Sequence, residues 1–163
     1  GTSPHLSGVM FVKRTGLDAV HVPFRGAAQT IPAMLAGDVN FAIDNLTSYL
    51  PAIDSGKMRA LAVTAAQRWP TMADVPTMEE AGMKDFVVTS WAAFVFPAGT
   101  PRPIIDKIAG AMKQIAADAE IQKRFQVGGA RLLSSTPEGA LAYAAKERAL
   151  WKDVVAASGA KID

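Results

Sequence analysis

The stretch 91–101, WAAFVFPAGTP, does most to limit what this chain can become, because it reads as an extended segment driven into a stiff corner and then directly into a helix. Pro97 has no donor N–H and a fixed φ, and Gly99 tolerates backbone angles that other residues avoid, so together they end a strand at Phe96. Thr100 is then the expected N-cap and Pro101 the first helical residue, ahead of the run PIIDKIAGAMKQIAADAEIQKRF at 103–125, which predicts a helix over about 102–126. A corner of this kind fits any layered α/β protein, so its meaning depends on what precedes it.

Upstream, strand and helix signals alternate at short spacing. Thr2 or Ser3 is placed to cap a helix starting near Pro4, whose apolar stripe of Leu6, Val9, Met10 and Leu17 is stopped by Gly16. Val20, Val22 and Phe24 alternate as a short strand over 18–24, and Arg25-Gly26 opens the helix AAQTIPAMLAG, closed at Gly37. A second strand over 39–43 stops at Asp44-Asn45, residues that favour turns and caps through side chain to backbone hydrogen bonds. A helix over about 47–55 follows, and then MRALAVT at 58–64, the apolar run of a strand buried on both faces, which implies a mostly parallel sheet. Thr77 is expected to cap a short helix ending at Gly82, 86–96 to form one long strand, and 137–157 a last helix behind a Ser135 or Thr136 cap. The fold class expected is α/β.

Composition removes several functions. Net charge is +2 and no basic run exceeds Lys13-Arg14, so the electrostatic footprint of a nucleic-acid binder is missing. The absence of cysteine excludes disulfides, thiolate metal ligands and a cysteine nucleophile, and suits an oxidising compartment. No apolar run is long enough to cross a bilayer, and GTSPHLSG has neither the charged nor the hydrophobic region of an export leader. A chain starting at Gly1, directly ahead of a helix, is expected to be a fragment or a trimmed product.

Catalytic signatures are equally thin. His5 and His21 have no Asp, Glu or Cys at zinc-site spacing, and His21 is expected to be a hydrogen-bonded structural histidine. There is no GxSxG, P-loop or GxGxxG. Glu79, Glu80, Glu147 and Asp153 read as solvated helix faces, and Trp69, Trp91 and Trp151 as packing residues, Trp91 standing where a hinge strand would matter. What remains is a set of helix beginnings at Gly1-Thr2-Ser3, Arg25-Gly26-Ala27 and Asp44-Asn45. Unpaired N–H groups and positive dipole ends can hold a carboxylate there, at the carboxyl ends of strands. The plain alternative is that Thr2 and Ser3 only cap and that Arg25 is only exposed.

Read in order, GTSPHLSGVMF, HVPFRGAAQTIPAMLAGDVNFAID, SGKMRALAVTAAQRWP, DVPTMEEAG and SWAAFVFPAGTP resemble the Bug-type extracytoplasmic solute receptors of tripartite tricarboxylate transporters over nearly the whole chain. The resemblance implies a type II periplasmic-binding-protein fold, two α/β lobes that close on a carboxylated ligand. Residues 1–90 would be most of lobe two, and 91–163 the hinge strand with carboxyl-terminal helices returning to lobe one. Lobe one itself would lie ahead of Gly1. Carried across position by position, Thr2, Ser3 and His5 correspond to the family's helix start that gives donors to the ligand, although Pro4 shortens that motif. Phe24, Arg25, Gly26 and Ala27 correspond to the loop lining the second side, and Asp44, beside Asn45, to an acidic strand end that orders water or meets a polar ligand group.

The function so implied is a periplasmic receptor, not an enzyme and without metal or cofactor, that captures a small carboxylate and delivers it to the membrane permease of a tripartite tricarboxylate transporter. The alternative is the effector domain of a transcription regulator, which shares the lobe architecture. Apolar surface left at the lobe contact would favour a dimer.

Overall fold

The computed structural model describes residues 1–160. Its helices are α1 (Ser3–Thr15), α2 (Ala27–Ala36), α3 (Leu46–Asp54), α4 (Arg102–Ala117), α5 (Ala119–Val127) and α6 (Pro137–Ser158), with a 3-10 turn at Pro70–Met72. Local chemistry accounts for the boundaries. Pro4 sits in the first turn of α1, where its missing N–H costs nothing, and Lys13 and Arg14 complement the negative end of the helix dipole. Gly16 then takes φ +69° and its N–H returns to Val12 O, a left-handed stop that a side chain would strain.

The chain divides into two compact units. The first holds residues 1–90 with the stretch from Asp153 onward. Its centre is Phe86, which is fully buried. Phe11 of α1 meets Phe86 edge-on at 6.2 Å and also contacts Phe41 at 5.8 Å. Arg14 lays its guanidinium 5.5 Å from the Phe86 ring centre and donates from one nitrogen to Lys84 O (3.1 Å) and Asp85 O (3.0 Å). One α1 face thereby holds down two extended segments, and the guanidinium covers an aromatic while two carbonyls satisfy part of its donors.

The LAVT segment joins the rest of this unit. Val63 N donates to Pro76 O at 2.8 Å and Val63 O accepts from Met78 N at 2.9 Å, forming a parallel bridge between Val63 and Thr77. Thr64 O accepts from Val88 N (2.9 Å) while Thr64 Oγ1 donates to Val88 O (2.7 Å). Buried Thr77 exchanges bonds with Glu80, Thr77 N donating to Glu80 Oε2 at 2.7 Å and Thr77 Oγ1 accepting from Glu80 N at 3.1 Å, the reciprocal capping pair its spacing predicts. Glu80 also receives Arg68 Nε at 2.8 Å, and this guanidinium, followed by the Thr77 N–H, holds its carboxyl below the usual range.

The second unit is 91–152, and none of its residues is buried. Polar staples shape it. Gln122 Nε2 donates to Ala116 O (2.7 Å) and Leu132 O (2.8 Å), and Arg102 bridges Asp106 (2.7 Å) and Glu138 (2.6 Å). Glu147 Oε2 accepts the indole N–H of both Trp91 and Trp151, each at 3.2 Å, while Trp91 packs edge-on against Tyr143. Glu147 is therefore an anchor for two tryptophans rather than part of a merely solvated face.

Several expectations are corrected. Among the described residues no strand ladder forms over 18–24, 39–43, 58–64 or 86–96, and the Val63–Thr77 bridge is the extent of the parallel pairing. Alternating hydrophobicity makes a segment extended, but a ladder also needs a neighbouring backbone about 4.8 Å away. Leu61 is 69% exposed, not buried on both faces. The helix expected over 102–126 breaks at Asp118, whose carboxylate accepts from Glu120 N and Ile121 N and so caps α5. Thr100 does not cap α4: Pro101 takes that position, and Thr100 Oγ1 donates back to Pro97 O at 2.9 Å. Residues 77–82 make a turn rather than a helix. Thr136 does cap α6, through Gly139 N at 3.0 Å.

Candidate functional site

The helix starts singled out in the sequence are real, and they share a property that α5 and α6 lack, although α4, which begins behind Pro101, is uncapped as well. Thr2, Gly26 and Asn45 are the N-caps of α1, α2 and α3, and none of the three has a side-chain cap hydrogen bond. In α5 and α6 the corresponding groups are taken by Asp118 and Thr136. At α2 the first N–H groups to be bonded are those of Gln29 and Thr30, both to Gly26 O, which leaves Ala27 and Ala28 as open donors. At α3 the first is Ser48, bonded to Asn45 O, leaving Leu46 and Thr47. At α1 it is Leu6, bonded to Thr2 O, so Ser3 and His5 carry the open N–H groups and Pro4 between them has none.

Each start is built by its neighbours. Gly26 has φ +110° and ψ 176°, a combination open in practice to glycine alone, and this bend points the chain from Arg25 into α2. Gln29 Oε1 accepts from Arg25 N at 3.1 Å and steadies the turn from inside the helix. No carboxylate among the described residues pairs with the exposed Arg25 guanidinium. Phe24 is exposed beside it.

Asp44 is held on both oxygens. Oδ1 accepts from Asn45 N at 2.7 Å, and Oδ2 accepts the phenolic proton of Tyr49 at 3.1 Å. Tyr49 is only 8% exposed, and its phenol is pushed up to about 12, first by burial, then by the Asp44 charge and hydrogen bond, with a contact from Thr30 of α2 pulling the other way. Tyr49 thus links the starts of α2 and α3. A carboxylate so fixed can meet a ligand's hydroxyl or a water, whereas a second carboxylate would need a bridging water.

The α1 start is reached through His5. Its ring stacks on that of His21, centroids 4.1 Å apart and planes within 10°, and Gly1 N donates to His5 Nδ1 at 3.1 Å. Burial first, then His21 and the Gly1 amine, lower the His5 pKa. His21 was expected to be a hydrogen-bonded structural histidine; what holds its ring is the stack on His5, and none of the hydrogen bonds found among the described residues involves it. The structure joins α1 to 18–24 through this stack, α1 to 39–43 through Phe11 and Phe41, and α2 to α3 through Thr30 and Tyr49. No recorded contact links Thr2 or Ser3 to Asp44 or Asn45. His21, Thr30 and Tyr49 are the residues that sequence reasoning missed. Their signal was weak: one turn past Gly26 for Thr30, one turn past Asn45 for Tyr49, and adjacency to the VPFRG loop for His21.

A cavity of about 360 Å³ lies elsewhere in the first unit, lined by Val9, Met10, Lys13, Arg14, Asp153, Val154 and Ala157. No candidate residue lines it, and Arg14 there already donates from one nitrogen to two carbonyls.

A family model described as the tripartite tricarboxylate transporter family receptor matches residues 1–159. Protein BugT of Bordetella pertussis is 32% identical over 162 residues, 99% of this chain and 50% of its own length. Among solved structures, R. palustris Rpa4515 with adipate superposes with TM-score 0.91 at 30% identity, covering 98% of this chain and 53% of that one. MatC from Rhodopseudomonas palustris with bound malate gives 0.78 at 30% identity, covering 93% and 53%. The chain thus spans about half the length of the relatives it matches.

Proposed function

Since this chain belongs to the tripartite tricarboxylate transporter receptor family, we propose that it forms the part of a solute receptor that captures a small carboxylate at the starts of α1, α2 and α3. The observation that carries this reading is the number of open first-turn donors: α1, α2 and α3 leave two N–H groups each, and α5 and α6 cover theirs with side chains. α4 is uncapped too but keeps only the N–H of Arg102, because Pro103 has none and Ile104 N is bonded to Pro101 O. Open N–H groups at a positive dipole end are the ordinary means of holding an anion without a buried cation. The unpaired Arg25 adds a positive charge beside one of them. Asp44, locked by Tyr49, would accept from a ligand hydroxyl or an ordered water and so read the part of the solute that is not carboxylate. Binding needs no covalent step, cofactor or metal.

Adipate and malate in the matched structures make a small dicarboxylate the first class to test. In this reading residues 1–90 are most of lobe two, and 91–163 are the hinge segment and helices that pack on lobe one. Pairing with lobe one would supply neighbours to the extended segments, completing a type II periplasmic-binding-protein sheet. The ligand would drive closure through contacts made only in the closed state, and the closed receptor would deliver its load in the periplasm to the transporter's permease subunits. No helix among the described residues is long and apolar enough to cross a membrane. The family match over 1–159 favours this reading over the effector domain of a regulator.

A thermal-shift series on the intact protein tests the proposal. Adipate or malate should raise Tm in a saturable way, adipamide should not, and Arg25→Ala should reduce the shift. Equal stabilisation by the diamide, or none by any dicarboxylate, would refute it.

A further inference from the structure

His5 lies half-buried in the first turn of α1, and His21 lies in the exposed extended segment that runs into Phe24-Arg25-Gly26. Their rings are parallel within 10° at 4.1 Å, closer and flatter than a chance side-chain approach, so the loop ahead of α2 is tied to the start of α1. Gly1 N donates to His5 Nδ1, which in the neutral ring leaves the proton on Nε2.

We propose that His21 is a positioning residue for carboxylate capture, its stacked ring holding the His5 imidazole over the α1 start so that Nε2–H is presented as a fixed donor to the ligand. The inference rests on reading the helix starts as the ligand site. A ring confined by a parallel neighbour loses little further freedom when the ligand arrives, so the donor is organised in advance. The stack also limits charge. Two imidazolium rings face to face at this distance repel, so charging both weakens the stack. The titratable group facing His5 from the loop is His21, and burial first and then His21 disfavour the charged form of His5. Acid that charges both rings would part the loop from α1 and release the ligand.

The test uses the intact protein with two variants, His21→Phe, which keeps a stacked ring without its charge, and His21→Ala, which removes the ring. The midpoint of His5 is followed by proton NMR, and malate affinity is measured by calorimetry between pH 5 and 8. In His21→Phe the His5 midpoint should move up towards the ordinary value of 6.5 while malate affinity at neutral pH is kept. The fall of affinity with acid should flatten, because no second imidazolium faces His5 in this variant. In His21→Ala affinity should drop roughly fivefold, the size of one ordinary lost contact. Wild-type binding unchanged in His21→Ala, with the His5 midpoint unmoved in both variants, overturns the positioning role. A wild-type protein that binds no carboxylate while the His5 midpoint still moves overturns the site reading instead, and with it the role in capture.

Discussion

At the scale of single residues, the account turns on side chains whose partners lie across an element boundary. Asp44 was visible in the sequence as an acidic strand end, but its partner Tyr49 was not, because the pairing depends on how the Asn45 cap turns the chain into α3. Replacing Tyr49 with Phe removes one hydrogen bond to a charged oxygen and should cost about 1–3 kcal/mol in chemical denaturation. The pH dependence has a definite sign. Burial and Asp44 push the folded phenol up to about 12 from its ordinary value of 10.0, so its contribution is fully present below about pH 10 and is lost as pH rises through 12. Wild type should therefore lose more stability than Tyr49→Phe across that window; parallel curves would show that the phenol is not held as described. Glu147 is a second case, since its indole partner Trp91 lies 56 positions away and no local pattern could have announced it. Glu147→Ala should shift the tryptophan emission, and an unchanged spectrum would contradict the shared acceptor.

Among elements, helices were legible and the sheet was not. Pro4, Gly16 and Gly37 marked the ends of α1 and α2 because these residues act through their own backbone. The break between α4 and α5 was hidden, since AADAE suits a helix and only the Asp118 side chain, turning back to cap, interrupts it. Strand pairing depends on a partner backbone, which no segment encodes by itself. Gly26 is where element and function meet: Gly26→Ala forces a side chain into φ +110° and should cost about 1–3 kcal/mol. It should also weaken carboxylate binding by displacing the α2 start. Asp118→Ala should cost about 1 kcal/mol through loss of a cap and leave binding alone. If both variants affected binding equally, the helix starts would have no special role.

For the whole molecule the informative quantity is surface. Large apolar side chains stand in solvent within each unit: Val20 is 88% and Leu61 69% exposed in the first, and Val95 is 86% and Phe94 and Leu133 each 74% exposed in the second. A polypeptide limited to these residues should therefore bind a hydrophobic dye and self-associate, through a dimer or strand exchange, at micromolar concentration. Sedimentation as a monodisperse monomer without dye binding would refute that expectation.

The most direct measurement is a ¹H–¹⁵N titration of the intact protein with a dicarboxylate, followed at the first-turn amides. The account predicts saturable shifts at Ser3, His5, Ala27, Ala28, Leu46 and Thr47, with the capped first turns of α5 and α6 still. Binding that moved the α5 and α6 amides and left those six in place would contradict it.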